Sequence, residues 1–282
     1  MNYSLNQLYG SIGISKQAVL QYEKRQLVFD ANLLQLIAEA DDLRTEHPGC
    51  GVEKMYYTLN PDFIGRDRFI ETMMPLGYRL KTKKNYKRTT MAGKLYYPNL
   101  IKGLKVNKPG VIWQSDITYI PLGNRHYYAV FIIDVYTKKI VGYSLTDHMR
   151  ATANVNALKM ALKQHHAPEI HHSDRGSQYT YKSYVELLRA NNTKISMATS
   201  AQDNAYAERI NRTIKEEYLD YWKPTNFNQL KKMTKKAIDN YNNKRIHNHL
   251  DRTNPLKFEN KFSVLASQNR KTITIFNNES FN

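Results

Sequence analysis

Residues 111–120 read VIWQSDITYI, a run of β-branched and aromatic side chains around one carboxylate, closed by Pro121 and a Gly123-Asn124 turn. Such a run favours a strand. The two-residue alternation of a strand puts Asp116 on one face with Gln114 and Thr118. Working outward, Tyr127–Val135 (YYAVFIIDV) is almost continuously apolar, as expected of a central strand covered on both faces. Lys139–Leu145 supplies a third strand.

Further along, ATANVNALKMALKQH (151–165) sets Val155, Leu158 and Leu162 at helical spacing. Glu169–Ser173 reads as a short strand, Tyr181–Ala190 as a helix and Lys194–Ala198 as a last strand. Three strands in a meander followed by alternating helix and strand predict an α/β domain: a mixed sheet flanked by helices, the order found in ribonuclease-H-like folds.

Upstream the texture is helical. In residues 1–47, Gly13 marks a turn, Ser15 is a candidate cap, and a basic helix carrying Lys16 and Gln17 follows. This suits a helix-turn-helix presenting its second helix to a DNA groove, or a plain helical hairpin. Residues 48–92 hold a second helical region, with Arg66 and Arg68 on its second helix and Lys83, Lys84, Lys87 and Arg88 beyond it. Residues 93–109 are expected to be a basic linker, 110–262 the catalytic domain and 263–282 a tail. Across 79–108, lysines and arginines alternate with tyrosines, which suits a solvated tether or a cationic strap over phosphates.

The 282 residues carry 42 Lys and Arg against 25 Asp and Glu, a formal net charge of +17. That excess favours a polyanionic partner. A single cysteine, Cys50, excludes an internal disulfide and a cysteine-based zinc cluster. No apolar run approaches the ~20 residues of a spanning helix, and MNYSLNQLYG lacks a secretory pattern. The expectation is a cytoplasmic protein bound to nucleic acid, with no membrane partner.

Asp116 is one of three candidate acids. Asp174, in HHSDRGSQYT (171–180), ends the strand that this topology lays beside the first. Glu208, in AYAERINRTIKE (205–216), follows the last strand. In that helix Ala207, Ile210, Ile214 and Tyr218 define a buried stripe, and Glu208, Arg212 and Lys215 a second one. Each acid alone would equally suit a surface strand, a turn or a solvated helix. Brought together, three carboxylates would resist ionisation unless a divalent cation joined them. Mg²⁺ prefers such oxygen ligands and is shared with phosphate, and a pair of ions supports in-line phosphodiester chemistry. Asp134 is expected to have a structural hydrogen-bonding role, Asp203 and Asn204 to cap the Glu208 helix, and one of His171 and His172 to face inward. His247 and His249 make a poor zinc site. Gly176 and Ser177 are expected to form a flexible polar turn that lets Gln178 approach DNA.

The segments WQSDITYI, YYAVFIIDVYTKKIVGYSLTDHM, HHSDRGSQYT and DNAYAERINRTIKEEYL, with YNNKR (241–245), His247, Leu250, Pro255 and Phe258, resemble the integrase core of bacterial transposases of the insertion-sequence-three family, specifically the product of the second, longer reading frame. The resemblance spans roughly residues 50–260. It implies a DDE-type transposase in which Asp116, Asp174 and Glu208 bind two Mg²⁺ ions, with Mn²⁺ able to substitute, and Lys215 touches phosphate. Arg209, Arg212 and Gln178 are further DNA-contact candidates.

The implied reaction cleaves DNA at terminal inverted repeats, frees a 3′ hydroxyl and joins it first within one strand, giving a circle before integration into target DNA. The implied partners are a second copy of the chain and a fusion or complex with the upstream-frame protein, which would bring a helix-turn-helix and a coiled coil. The implied location is the bacterial nucleoid. Family members usually have two more residues before the glutamate, which would place it at Ile210. The alternatives are a catalytically silent DNA-binding regulator and a plain Mg²⁺-dependent nuclease.

Overall fold

A computed structural model describes residues 4–80 and 96–276, which fall into two compact units, a helical one within 1–46 and 50–81 and a larger one within 47–49 and 82–282.

In the helical unit, α1 (Leu5–Ser11) starts at a capping box in which Ser4 and Gln7 satisfy each other's backbone N–H. A turn through Gly13 (φ +70°) leads to Ser15, whose Oγ accepts from Ala18 N at 3.1 Å. The helix that follows, α2 (Lys16–Glu46), runs for 31 residues rather than stopping short as a recognition helix would. Nothing in this stretch breaks it, since it contains neither Gly nor Pro. Then come α3 (Val52–Leu59) and α4 (Arg66–Met73). Leu36 and Ala40 of α2 pack with Met55, Phe69, Met73 and Tyr78, and Phe29 and Leu33 close the edge.

The larger unit contains β1 (Lys105–Val106), β2 (Ile112–Leu122), β3 (Arg125–Asp134), β4 (Ile140–Thr146), α5 (Ala151–Gln164), β5 (Ile170–Ser173), α6 (Lys182–Ala190), β6 (Lys194–Met197) and α7 (Ala205–Ile214). A π-helical turn over Lys215–Leu219 precedes α8 (Asp220–Trp222), α9 (Phe227–Asn243), α10 (Pro255–Val264) and β7 (Ile273–Thr274). The main sheet has the order β4-β3-β2-β5-β6. Its first three strands are antiparallel, while β5 and β6 run parallel to β2. This is the expected mixed sheet.

Alternation sorts the strands between two cores. Trp113, Ile117, Val130 and Ile132 pack with α5 and α6. Ile120, Ala129, Phe131 and Ile133 pack with Ala207, Ile210, Ile214 and Tyr218 and with α9. Gly142 lets β4 lie close on α5, because a Cβ there would come within 2.5 Å of Ala157 O. Both faces are covered, so His171 and His172 are both buried, rather than only one of them: His171 Nε2 lies 2.9 Å from Tyr184 Oη and His172 Nδ1 2.8 Å from Ser196 Oγ.

The region expected to be a linker is partly ordered core. Ile101 and Val106 are buried with Leu250, Phe258 and Ile275, and β1 pairs antiparallel with β7 from the expected tail. The pairing gives both short segments their backbone partners. Lys83, Lys84, Lys87 and Arg88 lie outside the described residues.

Candidate active site

The register of β2 and β5 brings the first two acids together. The parallel ladder ends where Ser115 pairs with Ser173, and Asp116 and Asp174 are the next residues along the two segments. Aligned residues of parallel strands point to the same face. Asp116 is on the face covered by α7, where Asn211 reaches it.

Three side-chain ties fix α7 against β2. Gln114, fully buried, accepts from Ala207 N (3.3 Å) and donates to Asp203 O (3.2 Å). Asn204 Nδ2 donates to Ser115 O (3.1 Å), and Asn211 Nδ2 donates to Asp116 Oδ2 (2.8 Å). Asn204, Glu208, Asn211 and Lys215 step by three or four residues and so share one stripe of the helix. Glu208 therefore stands between two residues anchored to the strand that carries Asp116.

Electrostatics report the convergence. The Asp116 carboxyl is pushed up to about 8, first by burial and then by the negative charges of Asp174 and Glu208, with the Ile117 N–H and Asn211 pulling it back. Burial raises Asp174 as well, and the Gly176 N–H (3.0 Å to Oδ1) opposes the rise. Glu208 is raised by burial and by Asp174, while Arg212 holds it down. Lys215 is lowered by burial, against the pull of Glu216, Asp220 and Asp116. Like charges in a partly desolvated cleft are the setting in which a hard cation relieves the strain.

The donor set fits a divalent ion of the magnesium type: oxygen ligands only, beside two buried acceptors, Asn204 Oδ1 and Asn211 Oδ1, that receive no hydrogen bond. Among the described residues no three His, Cys, Asp or Glu side chains form a ready-made metal cage. The charges of Asp174 and Glu208 both act on Asp116 without the three closing into such a cage.

Gly176 has an ordinary φ of −61°, so its need is spatial. An added Cβ would press to 3.0 Å on both Asp174 Oδ1 and Gln178 Oε1. The turn expected to be flexible is a short 3-10 helix, Ser177–Thr180, with Tyr179 buried and its hydroxyl 3.1 Å from Ser115 Oγ. Ile210, where the longer spacing would have put an acid, is buried in the core.

Two expected roles change. Neither Asp203 nor Asn204 caps α7 with its side chain. Asp203 Oδ2 accepts from Thr199 N and Ser200 N (2.8 and 2.9 Å), closing the preceding turn, and Asn204 reaches across to β2. Asp134 behaves as expected: its Oδ1 accepts from Tyr136 N and Thr137 N, and its Oδ2 from Gly110 N. His247 packs against the Arg245 guanidinium at 3.1 Å. Arg209 and Arg212 lie exposed on α7 and Gln178 is partly buried. Lys16, Gln17, Arg66 and Arg68 are exposed at helix starts in the helical unit, away from the acids in sequence and unit. Gln114, Asn204 and Asn211 escaped notice as site residues, although Asn211 follows Glu208 by three positions and so had to share its face.

Two models of the integrase core domain match this chain, over residues 106–202 and 191–255. The chain is 34% identical to the transposase for insertion sequence element IS904 of Lactococcus lactis, over 71% of its own length and 80% of the relative's. It is 32% identical to the insertion element IS600 uncharacterized 31 kDa protein of Shigella sonnei, covering 74% and 79% of the two chains. Among solved structures it is similar to the HTLV-2 integrase catalytic core domain in complex with magnesium, over 54% of this chain and 97% of that one, with 18% identity and a TM-score of 0.47. With two relatives above 30% identity matched over most of their length, and an integrase core that contains the acid cluster, this chain belongs to the insertion-sequence-three family of transposases, enzymes of the polynucleotidyl-transferase type.

Proposed function

We propose that this transposase cleaves DNA at the terminal inverted repeats of its own element and joins the freed 3′ hydroxyls to a second phosphodiester, with Asp116, Asp174 and Glu208 as its catalytic, metal-binding carboxylates. The observation that carries the reading is the meeting of β2 with α7 beside the end of β5: Asn211 of α7 bonds the Asp116 carboxylate at 2.8 Å, and the charges of Asp174 and Glu208 both bear on it. Two Mg²⁺ ions, replaceable by Mn²⁺, would be held there and would supply Lewis acidity to the attacking and leaving oxygens. The protein's own residues do the rest. Asn211 orients Asp116, the Gly176 N–H orients Asp174, and Gln114 and Asn204 hold α7 in register.

Lys215, at the start of the π-helical turn, and exposed Arg212 and Arg209 on α7 offer cations to the phosphates of the bound end. Lys16, Gln17, Arg66 and Arg68, exposed at helix starts, are the candidates for reading the repeat. Terminal-repeat and target DNA, a second protomer and the upstream-frame protein, fused or in complex, complete the active assembly, which works in the bacterial cytoplasm on the nucleoid. The first joining within one strand gives a circular intermediate.

The test incubates purified protein with labelled terminal-repeat DNA and Mg²⁺. Wild type is expected to give cleaved and joined products, and Asp116→Asn, Asp174→Asn and Glu208→Gln neither, with DNA binding kept. Joining by any of these variants sinks the assignment. Hydrolysis by wild type without joined products would make the enzyme a nuclease.

A further inference from the structure

The first half of α2 lies outside any core: none of residues 16–28 is buried, although the helix continues unbroken to Glu46. An isolated helical segment of that length is marginal in water, and helices in proteins draw most of their stability from packing an apolar face. The side of α2 that does pack carries Phe29, Leu33, Leu36 and Ala40. On the opposite side Leu20, Leu27 and Leu34 are spaced by seven and are 49%, 69% and 70% exposed. Lys24 and Ala31 lie between them and Ala38 follows, all exposed. Positions 20, 24, 27, 31, 34 and 38 alternate steps of four and three, the seam of a two-stranded coiled coil.

The like charge at Lys24 makes the antiparallel direction the more favourable of the two. Packed in parallel, leucine would meet leucine, Ala31 would meet Ala31, and Lys24 would face Lys24. Packed antiparallel about a two-fold axis level with residue 29, position i faces position 58 − i. Leu20 then packs on Ala38 of the other copy and Leu27 on Ala31, large against small at four of the six seam positions. The Lys24 stem lies along Leu34, its ammonium free to reach water. The same register brings Lys16 of one helix beside Asp42 of the other, with Gln17 beside Asp41. Opposite charges meet at both ends.

We propose that the exposed Leu20–Ala38 face of α2 is an interface between two copies of this chain, formed as an antiparallel helix pair. It needs neither the acid cluster nor DNA. The interface can therefore fail while the catalytic reading stands, and the reverse.

The test uses the full chain without DNA. Wild type is expected to sediment as a dimer, and Leu27→Asp with Leu34→Asp to weaken self-association by more than roughly tenfold, because each introduced carboxylate would be buried against apolar surface. Both positions are exposed in the single chain, so helical content and thermal midpoint should hold. For the direction, differently tagged L20C and A38C proteins are mixed under mild oxidation. A mixed disulfide is expected, whereas L20C alone should not cross-link to itself; buried Cys50 serves as the inert control in wild type. A monomeric wild type, an L27D/L34D protein that still dimerises, or an L20C self-link would each overturn the proposal.

Discussion

Asn211 Nδ2 donates a 2.8 Å hydrogen bond to Asp116 Oδ2 across 95 positions of sequence, and the Asn211 Oδ1 beside it is buried without a donor. The bond, with the Ile117 N–H, fixes the orientation of the Asp116 carboxylate. Outer partners of this kind are worth roughly 10–100-fold in metal affinity or activity. Asn211→Ala should therefore raise the Mg²⁺ concentration needed for half-maximal joining, or lower the rate, by about that factor while DNA affinity holds. A metal titration that superimposes on wild type would show that the bond does not position Asp116.

The raised pKa of Asp116 makes a stability prediction in metal-free buffer. Its folded value of about 8 lies above the ~3.9 of an unfolded aspartate. Between those values the folded state holds the extra proton, so this group's contribution falls as pH rises from about 4 to 8. Asp116→Asn removes the dependence. The variant should match wild type near pH 4 and exceed it by about 1–3 kcal/mol at pH 8, an amount discounted for the opening of the cleft to water. On the proposed metal role, added Mg²⁺ should narrow the gap, because it would bind only the ionised site. Equal denaturation midpoints at both pH values would refute the raised pKa.

Gly176→Ala tests the contact between the β5 turn and Asp174. Backbone conformation permits alanine, yet its methyl would crowd Asp174 Oδ1 and Gln178 Oε1 at 3.0 Å. If Asp174 is catalytic as proposed, its sub-ångström displacement is expected to lower the joining rate by about tenfold or more. The melting temperature should move little. Wild-type rates would mean that the carboxylate has room to give.

Glu217 lies two positions beyond Lys215 in the π-helical turn and accepts both Nε and Nη2 of Arg245 at 2.7 Å, with His47 Nε2 2.9 Å from its Oε2. Arg245 is 4% exposed. Removing one partner of a buried pair strands the other, at about 3–5 kcal/mol. Glu217→Ala should therefore destabilise the protein by about that amount in urea, and the double change with Arg245→Met should recover part of it. A double variant weaker than Glu217→Ala alone would refute the stranded-charge account.

Lys215 can be examined through salt. If its ammonium displaces one counterion from DNA, Lys215→Ala should make the slope of log affinity against log salt shallower by about 1, for any DNA sequence. Weaker binding with an unchanged slope would assign Lys215 to another task.

The strand and helix order of the catalytic unit was readable because its signals are local. Period-two alternation in β2, the apolar run of β3 and the stripe Ala207–Ile210–Ile214 each lie within about a dozen residues, and all three mark elements that form. Asp116, Asp174 and Glu208 were nameable as acids at element ends. The positioning residues were not, because an asparagine beside an acid and a glutamine in a strand carry no local mark. Their hydrogen bonds run to partners about 90 positions away. The linker expectation has the same origin: 93–109 reads as a basic tether until β7, from the far end of the chain, pairs with β1. Sequence alone determined which segments would be strand or helix and which acids were available, since backbone preference and side-chain period act between near neighbours. Tertiary structure alone decided which of those acids face one another and what holds them there, because ladder register and buried polar bonds are set only when distant segments meet and every desolvated donor must find an acceptor.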